Sequence, residues 1–261
     1  IRIIGLFEKG ERLVAMATTI KETFFRCKNY EEAQDKTCGY ENINLIEELV
    51  ESNKNKPPWS NNNNLYVDHR QLELSAAFMY IICESRYTDI SVSDVGGGNG
   101  YLSVSVKKLL TMINWEWTVF ESNKIALAYS QFEKESGIKW KSSNTHIIRY
   151  SEVALFSCTL QYLESPFEVL KKYALKHKYL IITRVPFINE NNCVITRQTF
   201  PDGGDYQSKS TSWPAWFFSR ENFYTEINKI GNIVYQWKTP TEVLLFEGDN
   251  VIMEGMIIRV V

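Results

Sequence analysis

The stretch that decides the fold reads Ser93-Asp94-Val95-Gly96-Gly97-Gly98-Asn99-Gly100-Tyr101. It lies between a short apolar segment, residues 90–95, and a longer segment with helical spacing, residues 101–113, so it predicts a loop between a strand and a helix. Glycine permits a tight turn and a close approach of backbone to a ligand, and an early acid can meet a positively charged or hydroxylated group. The sequence therefore predicts a ligand-binding loop at the end of a strand.

The spacing of these glycines does not fit two well-known nucleotide loops. The dinucleotide pattern Gly-x-Gly-x-x-Gly fails in either register, because Tyr101 or Asn99 takes a glycine position. The phosphate loop Gly-x-x-x-x-Gly-Lys-Ser/Thr also fails, since Lys107 lies too far along the helix. What is present is Asp-x-Gly-x-Gly-x-Gly, from Asp94 to Gly100.

A second acid follows at a suitable distance. Residues 115–121 have the composition of a strand and end in Glu121, which is 21 residues past Gly100. An acid at the end of the second strand of a nucleotide-binding fold can accept both hydroxyls of a ribose.

From residue 90 onward, short apolar strands alternate with helical stretches. This alternation predicts parallel strands joined by crossover helices, with ligand sites at the carboxyl ends of the strands. The predicted strands are 90–95, 115–121, 138–141, 153–158, 179–183, 232–237 and 251–260, with a turn at 248–250, and the predicted helices are 101–113, 124–136, 166–177 and 219–230.

The N-terminal part lacks this alternation. Residues 11–50 have mostly helical spacing, and residues 52–64, with two prolines and four consecutive asparagines, are the clearest linker. We therefore expect a helical extension and linker over 1–64 and one α/β domain over 65–261, which starts with a helix at 69–86. Residues 185–218 are a long aromatic insertion, which is typical of a functional lid.

Composition excludes several classes of protein. The 261 residues are 44% hydrophobic and 23% charged, enough for a packed core, and a net charge of −2 without long runs gives no support for a nucleic-acid partner. Five cysteines without a CxxC pair argue against a disulfide framework and a metal site, and favour a reducing cytoplasm. The longest apolar run, about ten residues, is half of what a membrane span needs. The chain starts with Ile and has no signal-like segment after it, which indicates an artificial boundary or a cut from a longer polypeptide.

The loop and the second acid together resemble class I S-adenosylmethionine-dependent methyltransferases. Four further segments resemble a bacterial branch of this family that is often encoded among surface-polysaccharide genes: residues 161–163, 183–187, 213–219, and 30–33 with Gly39-Tyr40. The resemblance spans roughly residues 24–240. It implies an α/β, doubly wound (Rossmann-like) seven-stranded sheet, mostly parallel with an antiparallel last strand, and S-adenosylmethionine as cofactor.

The resemblance also implies a set of cofactor-binding residues. The glycine loop would carry the cofactor, Glu121 its ribose, Ser142 the adenine and Ser157 the methionine portion. The full set is Asp94, Gly96, Gly97, Gly98, Gly100, Glu121, Ser142 and Ser157.

Methyl transfer to a hydroxyl needs a nearby general base, and the chain has three histidines. We expect His69 to be this base, although an exposed first residue of a helix capped by Asp68 is the alternative. We expect His146 to lie on the surface, with a position near the adenine as the alternative, and His177 to be a cation at a helix C-terminus. Neither is assigned to catalysis.

Five residues at the expected strand ends and in the insertion are candidates for the acceptor side. Tyr162, a catalytic candidate, and Gln161 follow the fourth strand, and Arg184 ends the fifth, where it could hold a phosphate or carboxylate. Trp213 and Trp216 could stack on a sugar ring. For each of them a core or surface role stays open.

The most favoured function is O-methylation of a sugar or sugar-linked intermediate of a surface polysaccharide, so the partner would be a small-molecule or glycan-precursor acceptor. Methylation of an amine or a small metabolite is one alternative. A non-catalytic domain that keeps the fold and binds a partner is another. A nicotinamide-dependent dehydrogenase shares the strand-end acid but lacks the glycine spacing.

Overall fold

The computed structural model describes residues 23–37, 68–143, 150–199 and 212–261, together with Ile46, Glu47, Val50, Glu51, Lys54 and Trp59. The strands of these segments are β1 (Thr23–Arg26), β2 (Asp89–Val95), β3 (Asn114–Glu121), β4 (Ile138–Ser142), β5 (Ser151–Ser157), β6 (His177–Ile188), β7 (Val194–Thr199), β8 (Ser212–Ser219), β9 (Gly231–Phe246) and β10 (Asp249–Val260). The helices are α1 (Tyr30–Asp35), α2 (His69–Ser85), α3 (Tyr101–Leu109), α4 (Asn123–Ser130), α5 (Glu133–Ser136), α6 (Pro166–Ala174) and α7 (Arg220–Ile227), with a 3-10 turn at Leu160–Tyr162.

Seven strands form the central sheet in the order β4-β3-β2-β5-β6-β10-β9. The first five are parallel to their neighbours, and β10 lies antiparallel between β6 and β9. Successive strands are added to one side of β2 up to β4 and then to its other side from β5 onward. This switch between β2 and β5 is the point where a doubly wound sheet opens a crevice for a ligand. The predicted α/β, doubly wound, mostly parallel fold with an antiparallel last strand is confirmed.

The core lies on both faces of this sheet. Strand β5 is buried along nearly its whole length, as expected for a parallel strand covered by helices on either side. On one face, Phe78 of α2 packs on Trp117 of β3, with ring centroids 5.4 Å apart. On the other face, Tyr173 of α6 packs on Phe156 of β5.

Helix α2 begins where the sequence predicts it. The side chain of Asp68 accepts hydrogen bonds from the backbone N–H groups of Arg70 and Gln71, and the Gln71 side chain accepts from the backbone of Asp68. This reciprocal capping box fixes His69 as the first residue of the helix. None of the helices in the described segments is both long and apolar enough to pass through a bilayer.

A second, three-stranded antiparallel layer, β1-β7-β8, was not predicted. It joins the central sheet where Phe187 and Ile188 of β6 pair with the end of β8. The described part of the aromatic insertion expected at 185–218 consists mainly of strands, which the sequence did not predict. The reason is that aromatic and β-branched residues here pair with β1 and pack against Phe24, Phe217 and the β9–β10 hairpin.

Three other expectations need correction. Residues 23–26 are a strand rather than helix, because they pair with β7, while α1 within the same region is helical. The helix expected at 124–136 is broken into α4 and α5. The strand expected at 232–237 continues to Phe246, and the two-residue turn Glu247-Gly248, with both φ angles positive, connects it to β10. Apart from Lys54 and Trp59, the linker at 52–64 lies outside the described residues.

Candidate functional site

The glycine loop connects β2 to α3 at the carboxyl edge of the sheet. Gly96, Gly98 and Gly100 all have positive φ angles, of 70°, 56° and 73°. Side chains other than glycine are strained in this left-handed region. The loop is also tightly packed at its start, because a Cβ atom on Gly96 would lie 2.5 Å from the side chain of Thr159. This geometry explains why the sequence needs glycines at alternate positions.

Asp94 lies buried beneath this loop. Its Oδ2 accepts a hydrogen bond of 3.0 Å from Nε1 of Trp117, and Gly97 packs so closely that a Cβ there would be 2.4 Å from the same oxygen. No donor in the described segments reaches Oδ1. Burial raises the pKa of Asp94 to about 7, the charge of Glu121 adds to the rise, and the Trp117 hydrogen bond opposes it. Asp94 is thus a buried acid with an unused acceptor atom.

Glu121 ends β3 beside the loop, as predicted. Its Oε1 accepts a hydrogen bond of 3.0 Å from the backbone N–H of Gly98, and its Oε2 accepts one of 3.1 Å from Ser122. Burial raises the pKa of Glu121, although the two backbone donors act in the opposite direction. Ser142 is the direct neighbour of Glu121 on β4 and is buried. The structure therefore brings together Asp94, the glycines, Glu121 and Ser142.

Trp140 on β4 supports the loop from below, which sequence reasoning missed. Its Nε1 donates a hydrogen bond of 2.9 Å to the carbonyl oxygen of Gly98. A Cβ on Gly100 would lie 3.2 Å from the Trp140 ring, and Tyr129 stacks on that ring at 5.8 Å. With Glu121 on its N–H and Trp140 on its carbonyl, Gly98 is held from two sides.

The carboxyl ends of β5 and β6 carry the next predicted residues. Ser157 and Thr183 are register partners, and their hydroxyl oxygens lie 2.9 Å apart. Arg184 donates from its terminal nitrogen Nη2 to Ser157 Oγ at 3.1 Å. The side chain of Arg184 thus lies over the end of β5, next to the residue expected beside the cofactor's methionine portion.

A bulge in β6 places Arg184 there. Residues 183 and 184 lie opposite Gly255 alone, and Arg184 has a φ of 60°. A bulge re-aims a side chain at a strand end, and a left-handed non-glycine residue costs about 1 kcal/mol or more. Burial lowers the pKa of Arg184, but Cys158, Glu242, Tyr162 and Asp68 raise it more, so that the net direction is upward.

A second irregularity brings Glu242 to the same place. The register of β9 with β10 skips residues 240–242, because Thr239 pairs with Met253 and Val243 with Ile252. Glu242 Oε1 lies 2.6 Å from Nε of Arg70 and 3.2 Å from Nε2 of His69. These three residues were not predicted to meet. The one local signal is Pro240, because a proline inside a strand marks a bulge or an edge.

The remaining predicted residues form a separate aromatic group around the 3-10 turn. The Tyr162 ring meets Trp213 edge to face at 6.3 Å, and Trp213 is buried, with its Nε1 donating to Gln198. Trp216 donates to the carbonyl of Leu163 and stacks on Tyr30. Each indole thus supports the turn, and contact of either with an acceptor stays a prediction.

Gln161 and the other two histidines complete the predicted set. Gln161 is buried and donates to Cys158 Sγ at 3.1 Å. His177 does not lie at a helix end, which corrects the expectation. It is buried at the start of β6, its Nδ1 lies 2.6 Å from the carbonyl of Tyr173, and burial lowers its pKa. His146 lies outside the described residues.

Comparisons with solved structures find proteins of similar fold. The N-terminal domain of EvdMO1 with SAH bound is similar to this chain with a TM-score of 0.54 at 10% sequence identity, over 82% of this chain and 97% of that chain. The same domain in the presence of SAH and D-fucose gives the same values. No protein-family model matches the sequence, and no curated protein matches it. The likeness shows that the chain has the Rossmann-like fold that the sequence resemblance implied.

Proposed function

We propose that this protein is an S-adenosylmethionine-dependent methyltransferase. The observation that carries the proposal is the convergence of two acids, the buried Asp94 and the half-buried Glu121, on one glycine loop. Asp94 keeps an acceptor atom without a donor in the described segments, and Glu121 lies at the mouth of the same loop. The space above Gly98 is open, since nothing described lies within 4 Å of a Cβ built there.

These residues fit the cofactor. Glu121 would accept hydrogen bonds from the ribose hydroxyls, the loop backbone would follow the adenosine, and Asp94 would lie where positive charge or donors of the methionine portion can use its Oδ1. Ser142 and Ser157 are proposed contacts on either side. When bound, the cofactor supplies a methyl group on a sulfonium, whose sulfur keeps the electron pair of the broken C–S bond.

The proposed acceptor is a hydroxyl of a sugar or sugar-linked intermediate of a surface polysaccharide. The carboxyl edge next to Ser157 carries two arginines, Arg70 and Arg184, and two carboxylates, Asp68 and Glu242. The two positive and two negative charges cancel, and the four side chains offer both hydrogen-bond donors and acceptors. Such a surface suits a neutral polyhydroxylated ligand better than a strong anion. A solved structure of similar fold was obtained in the presence of D-fucose, which is a sugar.

His69 is the proposed base for such a hydroxyl. Its Nε2 faces Glu242 at 3.2 Å, so Nδ1 is the nitrogen left to take the acceptor proton as the acceptor oxygen attacks the methyl carbon. Tyr162 and Gln161 would line the other side of the acceptor. This arrangement favours an oxygen acceptor over an amine, which needs no strong base. A cytoplasmic location remains part of the proposal.

Titration calorimetry tests the cofactor half of the proposal. We expect S-adenosylmethionine and S-adenosylhomocysteine (SAH) to bind, and NAD not to bind. Glu121→Ala should weaken SAH binding by about tenfold or more, because it removes charge-assisted hydrogen bonds to the ribose. Glu116→Ala is the matched control, since Glu116 is on the same strand but exposed and paired with Lys139.

The outcomes separate the alternatives. Binding of neither cofactor form would contradict the methyltransferase proposal and favour a non-catalytic domain with the same fold. Binding of SAH without transfer of labelled methyl groups to any sugar in a panel, but with transfer to amines, would favour N-methylation.

A further inference from the structure

We propose that Glu242 is a positioning residue, which holds His69 and Arg184 in place at the acceptor side of the site. This inference rests on the proposed function, because it assigns a role within the same site. Glu242 was not among the site residues predicted from the sequence.

The first argument is the number of groups that meet at one carboxylate. Glu242 lies within 4 Å of nitrogen atoms of three side chains: 2.6 Å from Arg70, 3.2 Å from His69 and 3.9 Å from Arg184. Its own side chain is only 14% exposed. Removing a largely shielded carboxylate that lies beside several cationic and imidazole nitrogens costs more than removing one partner of a surface ion pair.

The second argument is how the chain brings these groups together. Arg184 comes from a one-residue bulge in β6, and Glu242 from the three-residue irregularity in β9 that contains Pro240. His69 comes from the first position of α2, which the capping box of Asp68 fixes. Bulges occur preferentially beside active sites, where they aim side chains. Two independent irregularities that converge on one contact indicate a functional constraint rather than a packing accident.

The third argument is what Glu242 does to His69. A carboxylate only accepts hydrogen bonds, so contact with Nε2 selects the neutral tautomer with its proton on Nε2 and the lone pair on Nδ1. One turn further along α2, Glu73 accepts from Trp237 and Thr239 of β9 and holds the helix against that strand. The charged group in contact with the imidazole is thus Glu242 from β9, and the charged groups around that carboxylate are Arg70 from the start of α2 and Arg184 from β6.

The same carboxylate stabilises the guanidinium of Arg184. That group donates to Ser157, and its Nε has no hydrogen-bond acceptor among the described residues, with Glu242 the nearest carboxylate. Glu242 therefore sets the position of the base and of a substrate-binding group without touching the reacting atoms itself.

Nitrogen-15 NMR of the ligand-free full-length chain gives a direct test, since there are only three histidines. We expect His69 to show a protonated Nε2 and an unprotonated Nδ1. In Glu242→Ala the two nitrogens should average toward a mixture of tautomers. His177 is an internal control, because the Tyr173 carbonyl selects the opposite tautomer in every variant. His69→Gln assigns the signals.

A second variant separates positioning from folding. Glu247→Ala removes an exposed carboxylate at the turn of the same hairpin, where it pairs with Arg26, and should leave the His69 signals unchanged. With SAH affinity kept within about twofold, we expect Glu242→Ala to lower the rate of labelled methyl transfer to a sugar panel by about tenfold or more. Formate should restore part of the His69 signal pattern in Glu242→Ala.

Two results would overturn the proposal. One is a wild-type His69 with its proton on Nδ1, and the other is an identical His69 pattern in wild type and Glu242→Ala. Both are read without any cofactor or acceptor, so they differ from a failure of the proposed function. That failure would appear as absent SAH binding in the wild-type protein.

Discussion

Replacing Asp94 by asparagine should stabilise the ligand-free protein at neutral pH. Burial raises the pKa of Asp94 from its ordinary value of 3.8 to about 7. Between these pH values the folded protein holds a proton that the unfolded chain has released, so the free energy of unfolding falls as pH rises. A difference of about 3 in pKa corresponds to about 4 kcal/mol, and asparagine avoids this penalty because it carries no charge.

The structure also sets the cost of the replacement. The asparagine carbonyl oxygen can accept from Trp117 Nε1 in place of Oδ2. The amide nitrogen would then take the place of Oδ1, where no described residue offers a partner, and an unpaired buried donor costs about 1–3 kcal/mol. The net expectation is a gain of about 1–3 kcal/mol at pH 8. As pH falls toward 4 the penalty on the wild type fades, so the gain turns into a loss set by the unpaired amide, and below about pH 3 the aspartate is protonated in both states.

Urea unfolding of wild type and Asp94→Asn at several pH values between 4.5 and 8 measures this effect. The stability difference should grow with pH up to about 7 and stay constant above it. Asp89→Asn is the matched control on the same strand, because Asp89 is exposed and hydrogen bonds from Thr88 and Asn114 lower its pKa, so its replacement should act in the opposite direction. A variant that is no more stable than wild type at pH 8, with a difference independent of pH, would refute this reasoning. SAH should also bind more weakly to Asp94→Asn, because the replacement removes the Oδ1 acceptor that we propose for the ligand.

Two further replacements test the loop itself. Gly98→Ala should cost about 1 kcal/mol of stability from its positive φ, yet weaken SAH binding by more than tenfold, because its methyl group enters the space left for the ligand. The control is Gly248→Ala in the β9–β10 turn, where the glycine also has a positive φ and open surroundings. It should lose similar stability without a change in SAH affinity. Equal SAH affinities of Gly98→Ala and Gly248→Ala would contradict a ligand above Gly98. Trp140→Phe removes the hydrogen bond to the Gly98 carbonyl and should weaken SAH binding by about fivefold in calorimetry. The control is Trp115→Phe, which should not change SAH affinity, because Trp115 Nε1 donates to the carbonyl of Leu110 and not to the loop. An unchanged SAH affinity in Trp140→Phe would show that the loop needs no support from β4.

Local sequence was sufficient to bring together the residues of the proposed cofactor site. The glycine spacing, Asp94 and Glu121 lie within two consecutive β–α units, where strand ends and loops follow directly from apolar patterning and turn residues. The parallel direction of the central strands likewise follows from their alternation with helices. These features depend on short-range rules, which a sequence displays directly.

The acceptor side depends on pairings between residues far apart in the chain. His69 and Glu242 are 173 positions apart, and they meet because of register irregularities that no local pattern specifies. Strand β1 pairs with β7 through Thr23 and Thr199, so its four residues gave no signal of their own. His177 was expected to be charged because it would end a helix, whereas it begins β6 and lies buried against Tyr173.

A crystal structure of the full chain grown with SAH is the most direct test of the cofactor site. We expect the ribose hydroxyls to contact Glu121, the adenosine to lie along residues 96–100 and the homocysteine portion to lie next to Asp94 and Ser157. Electron density for SAH elsewhere on the molecule, or none in the crevice beyond β2 at saturating SAH, would contradict the assignment.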